Sequence, residues 1–358
     1  MNALGTTNAL GASNPEYVTA RVRARRAALF EEDDYRKLVR MGPSGIARFM
    51  EESEYETEIN RLGARHSGVD LIEYALHENL AKHFHDLLAW SEGKLHELIA
   101  RYLRRYDAWN VKTVIRGVYT DATYEEIEPD LIIAGELTAN QLESMANAET
   151  IRDVIDQLSG TQYYDPLVEA FETYEEEAVL VPLENAIDRA IYSHLLDGIR
   201  TTEPIEGPLA MYVEFLQAEI DFRNLRNAFR VAHSGADVDP GAFFIEGGNL
   251  FTRSSLAGLV TNRDELVEAV RSSTYADELS DALEGVAEAD SLIQFEHALE
   301  AVLLAYTERL ANVYPVSVTA VMSYVLAKER EVDNIRAIAR GKESGLAESE
   351  IERELIVT

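Results

Sequence analysis

The sequence predicts an all-α protein built from three divergent copies of one helical unit. Long stretches place apolar residues at three- and four-residue steps, and no series of short alternating strands with regular turn signals interrupts them. A third observation reveals the copies. One phrase is written three times, as YDAWNVKTVIRG (106–117), IDFRNLRNAFRV (220–231) and REVDNIRAIARG (330–341). Each has an acid, two residues, Asn, an aliphatic residue, a basic residue, three more residues, then Arg.

Taken in chain order, each phrase follows a long amphipathic helix: LIEYALHENLAKHFHDLLAW (71–90), PLENAIDRAIYSHLLDGI (182–199) and FEHALEAVLLAYTERLANVY (295–314). Pro129, Pro166, Pro208 and Pro240 fall between periodic segments, where chain breaks belong. Ahead of each long helix stands a shorter unit with its own rhyme. Tyr35, Leu38 and Ile46 lead to ESEY at Tyr55; Leu142, Met145 and Ile151 lead to GTQY at Tyr163; Leu256, Leu259 and Leu266 lead to SSTY at Tyr275. The segments LIIAGELTANQL (131–142) and FFIEGGNLFTRSSL (243–256) also match each other. The expected division is an N-terminal extension 1–14, helical copies 15–119, 120–235 and 236–345, and a C-terminal tail 346–358. A unit of about 110 residues exceeds the periods of helical solenoids, so the copies point to a pseudo-threefold body rather than a linear array.

A helical projection of the phrase separates its parts. With Asn110 at zero, Val111, Val114 and Ile115 share one apolar arc, Asp107 lies near Asn110 one turn earlier, and Lys112 and Arg116 fall together on the far side. Asp221, Asn224, Arg226 and Arg230 repeat the layout, as do Glu331, Asn334, Arg336 and Arg340. An Asn at the rim of an apolar stripe can bond the carbonyl of a neighbouring helix or a partner in its own copy. Two basic residues at i and i+4 repel and need acids opposite. Those acids belong either to this chain or to a partner that meets three matched basic edges, and both readings stand.

Acidic residues number 64 against 33 basic ones, of which 27 are Arg and 6 Lys, for a net charge of −31. Such a surface repels nucleic-acid phosphates and anionic headgroups, which argues against binding either one. The acids are dispersed rather than gathered in a tail, and with so little Lys the composition resembles that of proteins from salt-loving archaea. No cysteine is present, so disulfides and thiolate metal sites are excluded. The opening MNALGTTNALGASN lacks the basic start and apolar block of a signal peptide, and no apolar run approaches the roughly 20 residues that span a bilayer. The expectation is a cytosolic chain, or one held at a membrane by partners.

The start YVTARVRARRAALFEEDDYRKLV (17–39), the three Asn-centred phrases and the ending IRAIARGKESGL (335–346) resemble the C-subunit family of archaeal-type (A-type) ATP synthases, the counterpart of the d subunit in vacuolar proton pumps. The resemblance runs from about Tyr17 to the C-terminus. It implies a funnel-shaped, all-helical, pseudo-threefold body with no active site and no cofactor. It also implies rotor-ring and central-stalk subunits as partners, and a peripheral position on the cytoplasmic face of the cell membrane. There the funnel would cap the rotor ring and receive the foot of the stalk during proton-driven ATP synthesis. The longer N-terminus and the acidic, Lys-poor surface depart from the family pattern.

Catalytic signatures are absent. No Gly-x-x-x-x-Gly-Lys-Ser/Thr occurs, and the paired glycines of IEGGN (245–249) read as a turn. His77, His83 and His85 invite a metal, yet on a helix they point in divergent directions, and His77 aligns with Glu184 of the second copy. No metal or catalytic residue is expected. Two other classes remain. A helical adaptor unrelated to the pump would share the interfaces but lack affinity for a rotor. A helical-bundle di-metal enzyme needs Glu-x-x-His pairs, and none occurs.

The charge balance makes one direct prediction. Self-repulsion at −31 opposes the compact state, and the screening length shortens to about 3 Å near 1 M salt. Transfer from molar to millimolar salt should lower the thermal midpoint measured by circular dichroism; a constant midpoint would refute the link between composition and salt.

Overall fold

The computed structural model describes residues 13–197, 199, 205–234, 239–288 and 292–356, and these contain helices and turns with no strand. The expected extension 1–14 lies outside the described residues except for Ser13 and Asn14. The three long predicted helices run over Gly68–Trp90, Val181–Leu196 and Ile293–Val313. The three phrases lie on Arg105–Tyr119, Pro208–Ser234 and Val318–Glu343, called the signature helices below.

Local chemistry sets many of the boundaries. Thr150 caps Ile151–Gln157 by accepting from the Asp153 amide at 3.2 Å, while the Asp153 carboxylate accepts from the Thr150 amide at 3.1 Å. Thr252 with Ser255, and Asn262 with the amides of Asp264 and Glu265, start two further helices in the same way. The rhyme that ends at each Tyr is a small turn. Ser53, Thr161 and Ser273 each donate to the carbonyl three residues back, at 2.7, 2.8 and 2.7 Å, and accept from the amide of Tyr55, Tyr163 and Tyr275 respectively.

The chain divides into two compact units. One contains the residues up to Asp107, Glu128–Thr138 and the chain from Thr307 onwards. Its centre is Val318–Glu343, which packs on Gly68–Trp90 and Pro15–Arg26. Val321, Met322, Tyr324, Ile335 and Ile338 on that helix are fully buried, as are Leu76, Phe84 and Val18 or nearly so. The expected C-terminal tail contains the helix Glu348–Glu354, seated on the signature helix. A Cβ at Gly341 would meet Ile351 Cγ1 at 2.7 Å, so only glycine admits that approach.

The second unit comprises Ala108–Ile127 and Ala139–Tyr306. Val181–Leu196 packs on Tyr164–Glu177, and Pro208–Ser234 packs on Val181–Leu196 and Arg263–Arg271. Phe229 and Phe295 meet at 4.5 Å between ring centres. Gly117 here plays the part of Gly341, because a Cβ on it would lie 2.3 Å from Ile127 Cδ1. In both places an isoleucine ten residues after the glycine packs against it.

Candidate functional site: three buried signatures

Each signature places one carboxylate in the core. Asp107, Asp221 and Glu331 are 3%, 1% and 2% exposed. Burying a charge is unfavourable unless hydrogen bonds replace its water, and all three acids obtain such bonds from outside their own helix. Asp107 accepts from the Glu136 and Leu137 amides, both at 2.9 Å. Asp221 accepts from the Asn249 and Leu250 amides at 3.0 and 2.8 Å, and from the Tyr275 hydroxyl at 3.1 Å. The turns that supply these amides hold Gly135 and Gly248, where a Cβ would stand 2.1 Å from the carboxylate in each case. This is why the AGEL and GGNL segments match: glycine lets the backbone close on the acid.

Glu331 is satisfied differently. It accepts from the Phe30 amide at 2.6 Å, the Tyr55 hydroxyl at 2.7 Å and Lys328 Nζ at 2.6 Å. Lys328 is fully buried, donates also to the Tyr55 hydroxyl at 2.9 Å, and lies 4.1 Å from the centre of the Tyr55 ring. Desolvation lowers the Lys328 pKa, with Glu331 opposing it. Desolvation also raises Asp107, to about 6, against the two backbone bonds that pull it down, and raises Asp221.

The asparagines differ from the sequence expectation. They are core residues rather than rim residues, with Asn110, Asn224 and Asn334 at most 1% exposed. Asn224 donates to the Ile245 carbonyl at 2.8 Å and accepts from the Ile245 amide at 2.8 Å. Asn334 does the same with Ile356, at 3.0 and 2.9 Å. These partners lie in non-helical segments beyond each signature helix, not on a neighbouring helix. A primary amide has a donor and an acceptor side by side, so it can pair both the N–H and the C=O of one residue where a carboxylate cannot.

The basic edges meet acids of this chain. Lys112 Nζ lies 2.7 Å from Asp188 Oδ1, and Arg116 Nε 2.6 Å from Glu184 Oε1. Arg226 reaches Glu300 at 3.0 Å, and Arg230 holds Glu296 with two nitrogens, one at 2.7 Å. Arg340 grips Glu73 at 2.6 and 2.7 Å, while Arg336 donates to His77 Nε2 at 2.6 Å and pairs with Asp333 at 2.8 Å. Each basic pair thus faces a pair at i and i+4 on another helix, first with second, which makes the two helices antiparallel. Glu73 therefore corresponds to Glu184, and His77 to Asp188. The sequence alignment of His77 with Glu184 is displaced by one turn. Desolvation, helped by Arg336, lowers the His77 pKa to about 4, so it stays neutral and can accept. His83 meets the Tyr324 hydroxyl instead, and burial depresses it to about 2. Among the described residues no three His, Asp or Glu gather into a metal-ligating group.

Residues 18–354 match the family model described as ATP synthase (C/AC39) subunit. The chain belongs to that family. It is 62% identical to the A-type ATP synthase C subunit of Halorubrum lacusprofundi over 98% of this chain and 100% of that protein. The protein of the same name from Haloferax volcanii is 60% identical over 97% and 99% of the two chains, and that from Methanosarcina mazei 34% over 97% and 94%. The salt-loving relatives agree with the acidic composition. Like the sequence pattern, the AC39 family match spans both compact units and all three signatures.

The ion pairs and the raised carboxylate each give a test. Arg230→Glu turns a two-pronged pair into a like-charge contact and should destabilise the isolated chain by about 1 kcal/mol in chemical unfolding. An unchanged midpoint would show the edge to be solvated. Asp107 has its folded pKa raised, to about 6, so it contributes stability below the ordinary carboxylate range and loses it as pH rises through 6. The stability difference between Asp107→Asn and the parent should therefore move in favour of the variant between about pH 4 and 6, and no drift would refute the raised pKa.

Proposed function

We propose that the chain is a non-catalytic central-stalk subunit of an A-type ATP synthase, coupling the membrane rotor ring to the stalk at the cytoplasmic face of the membrane. In this reading three copies, roughly 15–119, 120–235 and 236–345, stand about a common axis as a funnel. The observation that favours it is the cyclic order of the contacts. The phrase of the first copy pairs with the long helix of the second through Lys112–Asp188, and that of the second with the third through Arg230–Glu296. The phrase of the third returns to the first through Arg340–Glu73. The tyrosines keep the same order, Tyr275 bonding Asp221 and Tyr55 bonding Glu331. A linear array has no such return.

The chemistry of the carboxylates supports a mechanical role. A general acid or base needs a side chain free to exchange a proton with a substrate. Asp221 and Glu331 have their oxygens taken by backbone, tyrosine and lysine donors, and Asp107 by two amides. Stiffness is the property such buried, satisfied networks provide, and torque transfer requires stiffness.

The test is purification of the tagged full chain from native membranes in molar salt. The expected result is recovery of rotor-ring and central-stalk subunits by mass spectrometry. Recovery in an assembly that lacks synthase subunits would overturn the reading in favour of an unrelated adaptor.

A further inference from the structure

The third signature is completed by two separate pieces of chain where the second uses one. Ile245 pairs with Asn224, and the Asn249 and Leu250 amides donate to Asp221, so the continuous segment 245–250 serves the whole signature. The first signature keeps the same register. Glu136 and Leu137 donate to Asp107, and Ile132 stands five residues ahead of Leu137 as Ile245 does of Leu250. At the third, Ile356 pairs with Asn334 just as Ile245 does with Asn224. The amide on Glu331 comes instead from Phe30, which lies five residues before Tyr35 as Leu137 lies five before Leu142. Ile356 thus takes the place of Ile245 and Phe30 that of Leu250, and the link between them is cut.

A cavity of about 260 Å³ lies at the cut. Leu29 and Phe30, from one side of the break, and Ile356, from the other, line it together with Tyr35, Ala327 and Arg330. Tyr35 is 3% exposed, and its hydroxyl has no hydrogen-bond partner among the described residues. Leu142 and Leu256 hold the matching positions of the other copies, so this hydroxyl is peculiar to the first. A buried hydroxyl without a partner is destabilising, and it marks the place of a missing acceptor. The charges on the lining do not call for an ion: Arg26 is paired with Glu308 and Glu32 with Arg36, while Arg330 and Glu31 are of opposite sign. A neutral oxygen suits the site, and a peptide backbone is what fills the equivalent place in the other two signatures.

We propose that Val357 and Thr358, which follow Ile356 and lie outside the described residues, fill this cavity and mend the break, a backbone carbonyl of the pair accepting from the Tyr35 hydroxyl. The register favours them over a segment of any partner, because they follow Ile356 as Ile133 and Ala134 follow Ile132. Both are also uncharged, as the site requires. The first signature is the better template than the second, since Gly247 takes φ 119°, a conformation suited to glycine, and Ala134 does not. In that template Ile133 is 37% exposed and Ala134 fully buried, so Val357 faces solvent and Thr358 faces inward. So seated, the pair ties the segment 27–31 to the last signature helix beside the Phe30–Glu331 bond.

The test uses the full chain in molar salt, and because it has no cysteine, one introduced thiol reports alone. Thr358→Cys should react with a maleimide at least about tenfold more slowly than Val357→Cys, since a seated side chain reacts only after local opening. Equal rates would overturn the proposal. Tyr35→Phe supplies the second arm. It should lower the thermal midpoint of the full chain but not that of a chain lacking Val357 and Thr358, where the hydroxyl has no acceptor to lose. The same shift in both backgrounds, or none in the full chain, would also overturn it. Slow labelling of Thr358→Cys only in the chain purified with other subunits, and not in the chain alone, would give the cavity to a partner's segment instead.

Discussion

The structure depends on one constraint: a carboxylate placed in the core of each signature must draw hydrogen bonds from outside its own helix. A buried, unsatisfied charge costs several kcal/mol, comparable to the whole stability of a domain. The two glycine turns, at Gly135 and Gly248, and the tyrosine turns that end at Tyr55 and Tyr275 bring donors to those acids. Segments far apart in sequence are therefore fixed in register by a polar contact, while the apolar stripes around it supply most of the driving force. Apolar burial alone is tolerant of small slips; a hydrogen-bonded carboxylate is not.

The third signature meets the same constraint with different parts. Its acid is one methylene longer, and Phe30 supplies a single amide where the other turns supply two. A lysine and a tyrosine fill the remaining oxygen. The ammonium of Lys328 balances the charge that a second amide leaves uncompensated, and Tyr55 serves both members, as hydroxyl and as ring. The pair is expensive to desolvate, yet each member would be costlier alone. Such an arrangement suits the junction between the N-terminal segment and the last signature helix, where no glycine turn of the same kind is available.

Much of this was legible in the sequence. The class and the extents of the long helices follow from periodicity, and the phrases mark where the acid, the Asn and the basic pair stand. The acids opposite were also written, as EYALH (73–77), ENAID (184–188) and EHALE (296–300), a second phrase of the form Glu-x-Ala-aliphatic-partner. Histidine in the last place of EYALH conceals it, because a neutral imidazole stands where the other two phrases have a carboxylate. The direction of the Asn bonds was not legible. Projection shows which face a residue takes but not how deeply it is buried, and an Asn paired with the N–H and C=O of one residue is as well satisfied inside as out. Lys328 was missed because a lone lysine reads as surface, and only three-dimensional contact brings it to Tyr55.

The preference for arginine follows from the same physics in concentrated salt. Screening over about 3 Å leaves a charge pair little beyond direct contact, so geometry decides its worth. Arginine can grip both oxygens of a carboxylate, as Arg230 and Arg340 do, whereas lysine is a point charge with a strongly held water shell. Each of the 6 lysines is in an ion pair: Lys37 with Asp34, Lys82 with Glu58, Lys94 with Glu97, Lys112 with Asp188, Lys328 with Glu331 and Lys342 with Glu348. Lys328 is fully buried and Lys112 largely so, so a compact ammonium loses less to screening there than on the surface. The acids in excess then remain at the surface, where concentrated salt screens their mutual repulsion. The residues that pair the signature helices with their neighbours are drawn from the small minority of basic side chains, and this is why the repeated phrase stands out in so acidic a sequence.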